Sequence, residues 1–295
     1  MDKKIEGFSK NLKRSLESNK YDYGHVLVIA GSKTMPGAGV LCCNAALRAG
    51  AGLVTYAVEE KFLLNAQAVA NAEIMFFVYS HAQDIINFIK AKKVSAVVLG
   101  PGMVLNYGSL YALAKEIICS VNIPIVLDAS ALSAFNEKTD EFKYAKAKLV
   151  LTPHIGEFKA LLFGKNNKLA ALNSWSKEIM DLKVRKNIVK KFAKDHSIIF
   201  TLKGHNTAVS DGESIYVNDS GTPAMATAGS GDVLGGIIAA FACVSRDLYS
   251  AVCAAVFIHA LSGELAEKEK GVTSVIASDI IENIPNAIIK HFGKI

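Results

Sequence analysis

The usual signatures of metal, membrane and nucleotide-triphosphate proteins are missing from this sequence. It has no C-x-x-C pair, and its five cysteines, Cys42, Cys43, Cys119, Cys243 and Cys253, stand in apolar surroundings. That excludes a disulfide framework and a zinc cage and points to buried thiols in a reducing compartment. Met1-Asp2-Lys3-Lys4-Ile5-Glu6 carries no apolar signal core, so the cytoplasm is the expected location. The longest apolar runs, near Val233–Val244 and Ala251–Leu261, are too short to span a bilayer, and Arg246 and Asp247 lie between them, so no membrane is expected as a partner. Gly31-Ser32-Lys33-Thr34 imitates only the tail of a Walker loop. Leu234 stands where a G-x-G-x-x-G fingerprint beginning at Gly229 needs its last glycine. A Walker-type triphosphatase and a standard dinucleotide fold are both excluded.

Charge is scarce too, with 20% charged residues and a net charge of +6. Most of the excess lies at Lys159, Lys165, Lys168, Lys177, Lys183, Arg185, Lys186, Lys190, Lys191 and Lys194. Their helical spacing among apolar residues reads as solvated helix faces. Only Phe163, Trp175 and Phe192 lie nearby, too few aromatics for a nucleic-acid surface, so no nucleic acid is expected as a partner.

What is present is a long alternation of strand and helix patterns. Hydrophobic residues make up 51% of 295 residues, enough for one α/β domain spanning 1–295. Residues 1–24 read as a polar N-terminal arm with one helix around Phe8–Leu16. Strand patterns fall at His25–Ala30, Leu53–Val58, Glu73–Tyr79, Val94–Leu99, Pro124–Leu127, Leu149–Leu151 and Ile198–Leu202. Helical patterns fall at Val40–Arg48, Gln83–Ala91, Leu110–Ser120, Tyr249–Lys268 and Ser278–Phe292. This order predicts a mostly parallel central sheet with helices on both faces. Asp211-Gly212, between Thr207–Ser210 and Ser214–Val217, predicts a hairpin that adds antiparallel strands at one side.

The chain is organised around Ala224–Phe241. There Gly229-Ser230-Gly231-Asp232 reads as a loop feeding an apolar helix from Val233. Glycines before a helix let backbone N–H groups converge, and the helix end adds unpaired donors and positive potential, which together make an anion hole. Asp232 at its lip is suited to take a proton from an attacking hydroxyl. The competing reading is a tight turn with Asp232 as a helix cap.

Other unusual residues follow strand patterns, where ligands bind in open α/β sheets. They are Gly31–Ala38, Gly100-Pro101-Gly102, Asp128, Thr152-Pro153-His154-Ile155-Gly156-Glu157 and Lys203-Gly204-His205-Asn206-Thr207. Lys203 suits a nucleotide phosphate, or is a surface lysine at a strand end. His154 suits a polar ligand, or is a structural loop histidine. Asp128 either caps the turn at Ala129-Ser130 or helps hold a hydrated metal with Glu157. His259, inside an apolar helix, reads as a core histidine rather than a catalyst.

Ala228-Gly229-Ser230-Gly231-Asp232 resembles the anion-hole and base motif of the ribokinase-like superfamily. Thr152-Pro153-His154-x-Gly156-Glu157, Met225–Leu234, Gly100-Pro101-Gly102 and Lys203–Thr207 narrow the resemblance to ADP-dependent NAD(P)H-hydrate dehydratases. The resemblance implies a three-layer ribokinase-like fold and a hydro-lyase that restores NADH and NADPH from their hydrates. Asp232 would be the base, and Gly229, Ser230 and Gly231 the charge-stabilising turn. Ala38, Gly102, His154 and Asp232 would contact the hydrated dinucleotide. Lys203, Gly204, His205, Asn206, Thr207 and Gly231 would surround ADP, or ATP, with Mg²⁺ bridging phosphates and no protein metal ligand assigned. It also implies an NAD(P)H-hydrate epimerase as functional partner and a homo-oligomer, a tetramer in this reading. No room is expected within these residues for the epimerase domain that some relatives carry in front.

Tyr21, Met103 and Ser230 depart from residues frequent in that family. Two other functions stay open on sequence alone: a ribokinase-like kinase acting on a small alcohol or vitamin precursor, and a nucleotide-binding regulatory module without turnover.

Overall fold

In the computed structural model the described residues are 3–104, 106–164 and 178–293, and the lysines at 165, 168 and 177 and Trp175 lie outside them. Nine strands form one sheet in the order β3-β2-β1-β4-β5-β6-β7-β8-β9. They are β1 His25–Ile29, β2 Leu53–Glu59, β3 Met75–Tyr79, β4 Ala96–Leu99, β5 Pro124–Leu127, β6 Lys148–Leu151, β7 Ile199–Leu202, β8 Thr207–Ser210 and β9 Ile215–Asn218. The first seven pair in parallel and the last two antiparallel, as the sequence pattern predicts.

Every residue of β1 is buried, because helices cover both faces. Its alternation sorts the two cores. Val26 and Val28 join one apolar cluster, and Leu27 and Ile29 join the other. Behind the first lie α1 Lys3–Leu12, α2 Pro36–Arg48 and α3 Leu63–Gln67. Behind the second lie α4 Ala82–Ala91, α5 Tyr107–Ser120, α6 Ser130–Ala134, α7 Ile155–Phe163 and α8 Leu182–His196. The first layer is completed by α9 Ser230–Val244, α10 Leu248–Lys270 and α11 Ala277–Phe292.

Three expectations need correction. The first helix ends at Leu12 instead of running to Leu16, and α2 starts at Pro36, four residues before the apolar period begins. Proline at the first helical position loses no hydrogen bond and supplies the right φ, so Ala38 sits in a helix rather than a loop. The third is α10, which has 23 residues and is long and apolar enough by length and composition to cross a bilayer. Of its most apolar window, 78% is buried within the protein. Helix α9 is buried from Val233 to Ala242, the pattern of a core helix. It packs backbone-close on α2: a Cβ on Gly236 would lie 2.2 Å from the Cys42 carbonyl oxygen. None of the five cysteines is in a disulfide; Cys42, Cys43 and Cys253 are buried, while Cys119 and Cys243 are only half-buried.

The strand order reverses between β1 and β4, since successive strands grow away from β1 on both sides. Such a switch point opens a crevice at the carboxyl ends of the strands. The Gly31 amide there donates to the Pro101 carbonyl at 2.7 Å, which ties the loops after β1 and β4 together.

Candidate active site

The predicted loop at Gly229–Asp232 is the opening of α9. Gly229 is its N-cap, with φ of +88°. That left-handed backbone is one L side chains rarely adopt, and a Cβ there would also lie 2.5 Å from Leu41 Cδ1. Ser230, Gly231 and Asp232 form the first turn. No side chain caps the helix, and the first amide bond within it runs from Val233 N to the Gly229 carbonyl at 3.1 Å. The amides of Gly231 and Asp232 have no partner among the described residues. Asp232 is thus not a cap. Its Oδ2 stands over the helix end, 3.9 Å from where a Gly229 Cβ would be.

Strands β5, β6 and β7 bring a charged cluster to the same point. Lys203 Nζ lies 2.8 Å from Asp128 Oδ1 and 3.9 Å from Glu157 Oε2. Thr152 Oγ1 donates to the same Asp128 oxygen at 2.8 Å. A Cβ on Gly231 would stand 3.3 Å from Lys203 Nζ and 3.7 Å from Asp128 Oδ2. Asp128 therefore does not cap the turn after β5, since the short helix there has no side-chain cap. Nor is it paired with Glu157 around an open metal position, because the Lys203 ammonium stands between the two carboxylates.

These neighbours set the protonation states. Burial, followed by the Asp128 charge and opposed by Lys203, pushes the Asp232 carboxyl up to about 7. Burial alone would lower the Lys203 value, but the charges of Asp128 and Glu157 and the Asp128 hydrogen bond hold it above its usual range. The site thus has a carboxylate poised to exchange a proton near neutrality beside a lysine held positive.

His154 is the N-cap of α7. Its Nδ1 accepts from the Gly156 and Glu157 amides at 3.0 and 3.2 Å, and Glu157 Oε2 accepts from the His154 amide at 2.9 Å. An Nδ1 that accepts leaves the proton of a neutral ring on Nε2, which lies 3.6 Å from Glu157 Oε2. Ala38 meets Gly102 across the switch point, since a Gly102 Cβ would stand 2.7 Å from Ala38 Cβ and 3.2 Å from Met35 Cβ. Leu41, one turn further along α2, touches Gly229. The loops predicted to share one rim are therefore in contact, from Gly102 through Ala38 to Gly229 and from Asp128 through Lys203 to Gly231.

Within Gly204–Thr207, Thr207 Oγ1 donates to the Gly204 carbonyl at 2.8 Å, and His205 is exposed.

Comparison with known proteins gives this geometry a context. The family profile described as NAD(P)H-hydrate dehydratase matches residues 26–286. An ADP-dependent (S)-NAD(P)H-hydrate dehydratase of Listeria monocytogenes is 32% identical over 92% of this chain and 90% of its own length. The chain belongs to the NAD(P)H-hydrate dehydratase family. A bifunctional NAD(P)H-hydrate repair enzyme of Moorella thermoacetica is 33% identical over 92% of this chain, which spans 51% of that relative's length. The crystal structure of an ADP/ATP-dependent NAD(P)H-hydrate dehydratase from Bacillus subtilis, co-crystallised with ATP/Mg²⁺, matches at a TM-score of 0.77 and 26% identity, covering 97% of both chains. The fold is ribokinase-like, as the sequence motifs imply.

Two residues beside the family motifs make contacts that the sequence reading did not anticipate. Arg185 sits among the lysines of α8 but is buried, with 2% of its surface exposed. Its Nη1 donates to the carbonyls of His205, at short range, and Asn206, at 2.9 Å, and so holds the Lys203–Thr207 loop. His259 on α10 is not simply a core histidine: its Nε2 lies 3.3 Å from Ser230 Oγ in the first turn of α9. No sequence signal marks either contact, since burial of a helix face does not name the partner.

Proposed function

We propose that this chain uses a nucleoside diphosphate or triphosphate to dehydrate hydrated NADH or NADPH. The observation that carries this reading is Asp232: a carboxyl raised to about 7 at the open first turn of α9, beside the Lys203 ammonium. The family supplies the substrate, and the geometry supports the chemistry.

Asp232 takes the proton from the hydroxyl of the hydrated nicotinamide ring. That oxygen forms a bond to the terminal phosphorus as the bond from phosphorus to the bridging oxygen breaks; from ADP the leaving group is AMP. The amides of Gly231 and Asp232 and the Lys203 ammonium receive the charge that spreads over the phosphoryl oxygens. The phosphorylated ring then expels phosphate and loses a neighbouring proton, which restores the double bond. Water is lost overall as phosphate bearing the substrate oxygen. Lys203 to Thr207, fixed by Arg185, and Gly231 form the nucleotide side. Ala38, Gly102 and the Nε2–H edge of His154 form the dinucleotide side.

Mg²⁺ takes oxygen ligands and is commonly held by one or two carboxylates together with phosphates. Asp128 fits that role, because Lys203 and Thr152 occupy Oδ1 while Oδ2 faces Gly231. When bound there, the ion neutralises phosphate charge. The stereochemistry named in the Listeria relative supports, as a functional partner, an epimerase that interconverts the hydrate's forms.

The test incubates the protein with hydrated NADH, ADP or ATP, and Mg²⁺, and follows the reduced-nicotinamide absorbance band. Recovery of that band together with release of phosphate supports the reading. Phosphate transfer to a small alcohol with no recovered absorbance would replace it with a kinase.

A further inference from the structure

The first turn of α9 does not stand alone: a half-buried histidine from the neighbouring helix reaches its first residue. His259 lies on α10 between the buried residues Ile258 and Ala260, and its Nε2 is 3.3 Å from Ser230 Oγ. Nothing in the reaction described above uses this ring. We propose that His259 is a positioning residue, whose Nε2–H donates to Ser230 Oγ and leaves the Ser230 hydroxyl proton free to point at the phosphoryl group in transfer. The inference rests on the phosphoryl-transfer reading of the site and adds a neutral donor to it.

The argument is one of matching donors to acceptors. A serine hydroxyl has one proton to give and lone pairs to receive one. Phosphoryl oxygens only accept. If Nε2 were the acceptor, the hydroxyl would spend its proton on the ring and turn its lone pairs toward an incoming anion. With Nε2 as donor, the hydroxyl is held from behind and its proton faces the site.

The ring's charge state agrees with this geometry. Burial pushes the His259 value down to about 4, a hydrogen bond with the Ser230 backbone pulls the other way, and Lys203 adds to the lowering. At neutral pH the imidazole is therefore uncharged and has one N–H. It orders Ser230 without adding a second cation near the Lys203 ammonium. Pre-oriented donors of this kind stabilise a transition state more than a ground state, so the effect belongs in kcat.

The test uses His259→Leu, His259→Gln and Ser230→Ala in the full chain. Under the hydrate assay, His259→Leu should lower kcat about tenfold or more while the KM for hydrate stays within about twofold. His259→Gln, whose amide nitrogen can donate from a similar place, should recover most of the loss. On a Ser230→Ala background, His259→Leu should cost less than about twofold more, because the two groups act as a unit. A second measurement is independent of turnover. Nuclear magnetic resonance of protein carrying isotope-labelled histidine should show His259 as the neutral Nε2–H tautomer at neutral pH. An Nδ1–H tautomer, or a His259→Leu enzyme with wild-type kcat, overturns the proposal. Absence of any turnover by the wild type would instead remove the reaction assigned above, and the tautomer would still decide the hydrogen bond.

Discussion

Lys203 Nζ and Asp128 Oδ1 meet at 2.8 Å with only 19% and 3% of their side chains exposed. Breaking such a pair on one side strands a buried charge, at a cost of about 3 kcal/mol or more. Lys203→Met should therefore both raise the KM for nucleotide and lower the melting temperature. The double variant Lys203→Met/Asp128→Asn should recover part of the stability and none of the nucleotide affinity. Melting curves and nucleotide titrations of the three variants check this. Equal stability of Lys203→Met and the double variant would show that the pair is not coupled.

Arg185 acts one step further out. Its guanidinium holds the carbonyls of His205 and Asn206 from inside the protein. Hydrogen bonds made by a charged donor contribute about 1.5–3 kcal/mol each. Arg185→Met keeps much of the side-chain volume but frees the loop. The expected outcome is a nucleotide KM raised about tenfold or more, since one such bond already corresponds to that ratio. The kcat at saturating nucleotide should change much less. Steady-state kinetics with nucleotide varied at fixed hydrate separates the two.

These residues show what the sequence can and cannot reveal. The strands were legible because each buried parallel strand is a short β-branched run followed by residues unusual at a turn. Gly102, Asp128, His154 and Lys203 all lie at such ends. The start of α9 was misplaced by three residues, since Ser230 and Gly231 are poor helix formers and only tertiary packing makes them part of a first turn. Arg185 was read with the lysines around it because helical period reports a face, not the carbonyls that face will meet. His259 was read as a core histidine rather than a catalyst, and its approach to Ser230 Oγ was not legible. The distance that matters there is between two helices whose crossing the sequence does not encode locally.

The closeness of that packing is itself testable. A Cβ on Gly236 would stand 2.2 Å from the Cys42 carbonyl oxygen and 2.8 Å from Ala45 Cβ. Neither atom is a flexible side-chain end, so α9 and α2 must move apart to admit it. Gly236→Ala should destabilise the fold by about 1–3 kcal/mol, the usual cost of overpacking a core. The shift should carry to the site, because Leu41 on α2 also touches Gly229. Gly37→Ala is the control, since a Cβ there meets nothing within 4 Å. Thermal denaturation of both variants gives the comparison, and equal melting temperatures would contradict the close approach.

Asp232 supplies the prediction with a sign in pH. Its value in the folded protein, about 7, stands above the ordinary 3.8 of the free side chain. Between those two values the folded state binds more protons than the unfolded state, so stability falls as pH rises through the folded value. Asparagine does not ionise and removes that loss. Asp232→Asn should thus melt at nearly the wild-type temperature, or differ by a constant, below about pH 4, gain relative to wild type between about pH 4 and pH 7, and level off above that. Activity should run the opposite way. The wild-type rate should climb through about pH 7 as the base loses its proton, while the variant should be slower by roughly two orders of magnitude or more with that limb gone. A variant that gains stability at high pH but keeps its turnover would mean that the carboxyl is buried and strained without being the base. Loss of turnover with no pH-dependent gain would mean that the carboxylate is already relieved by a cation at the site.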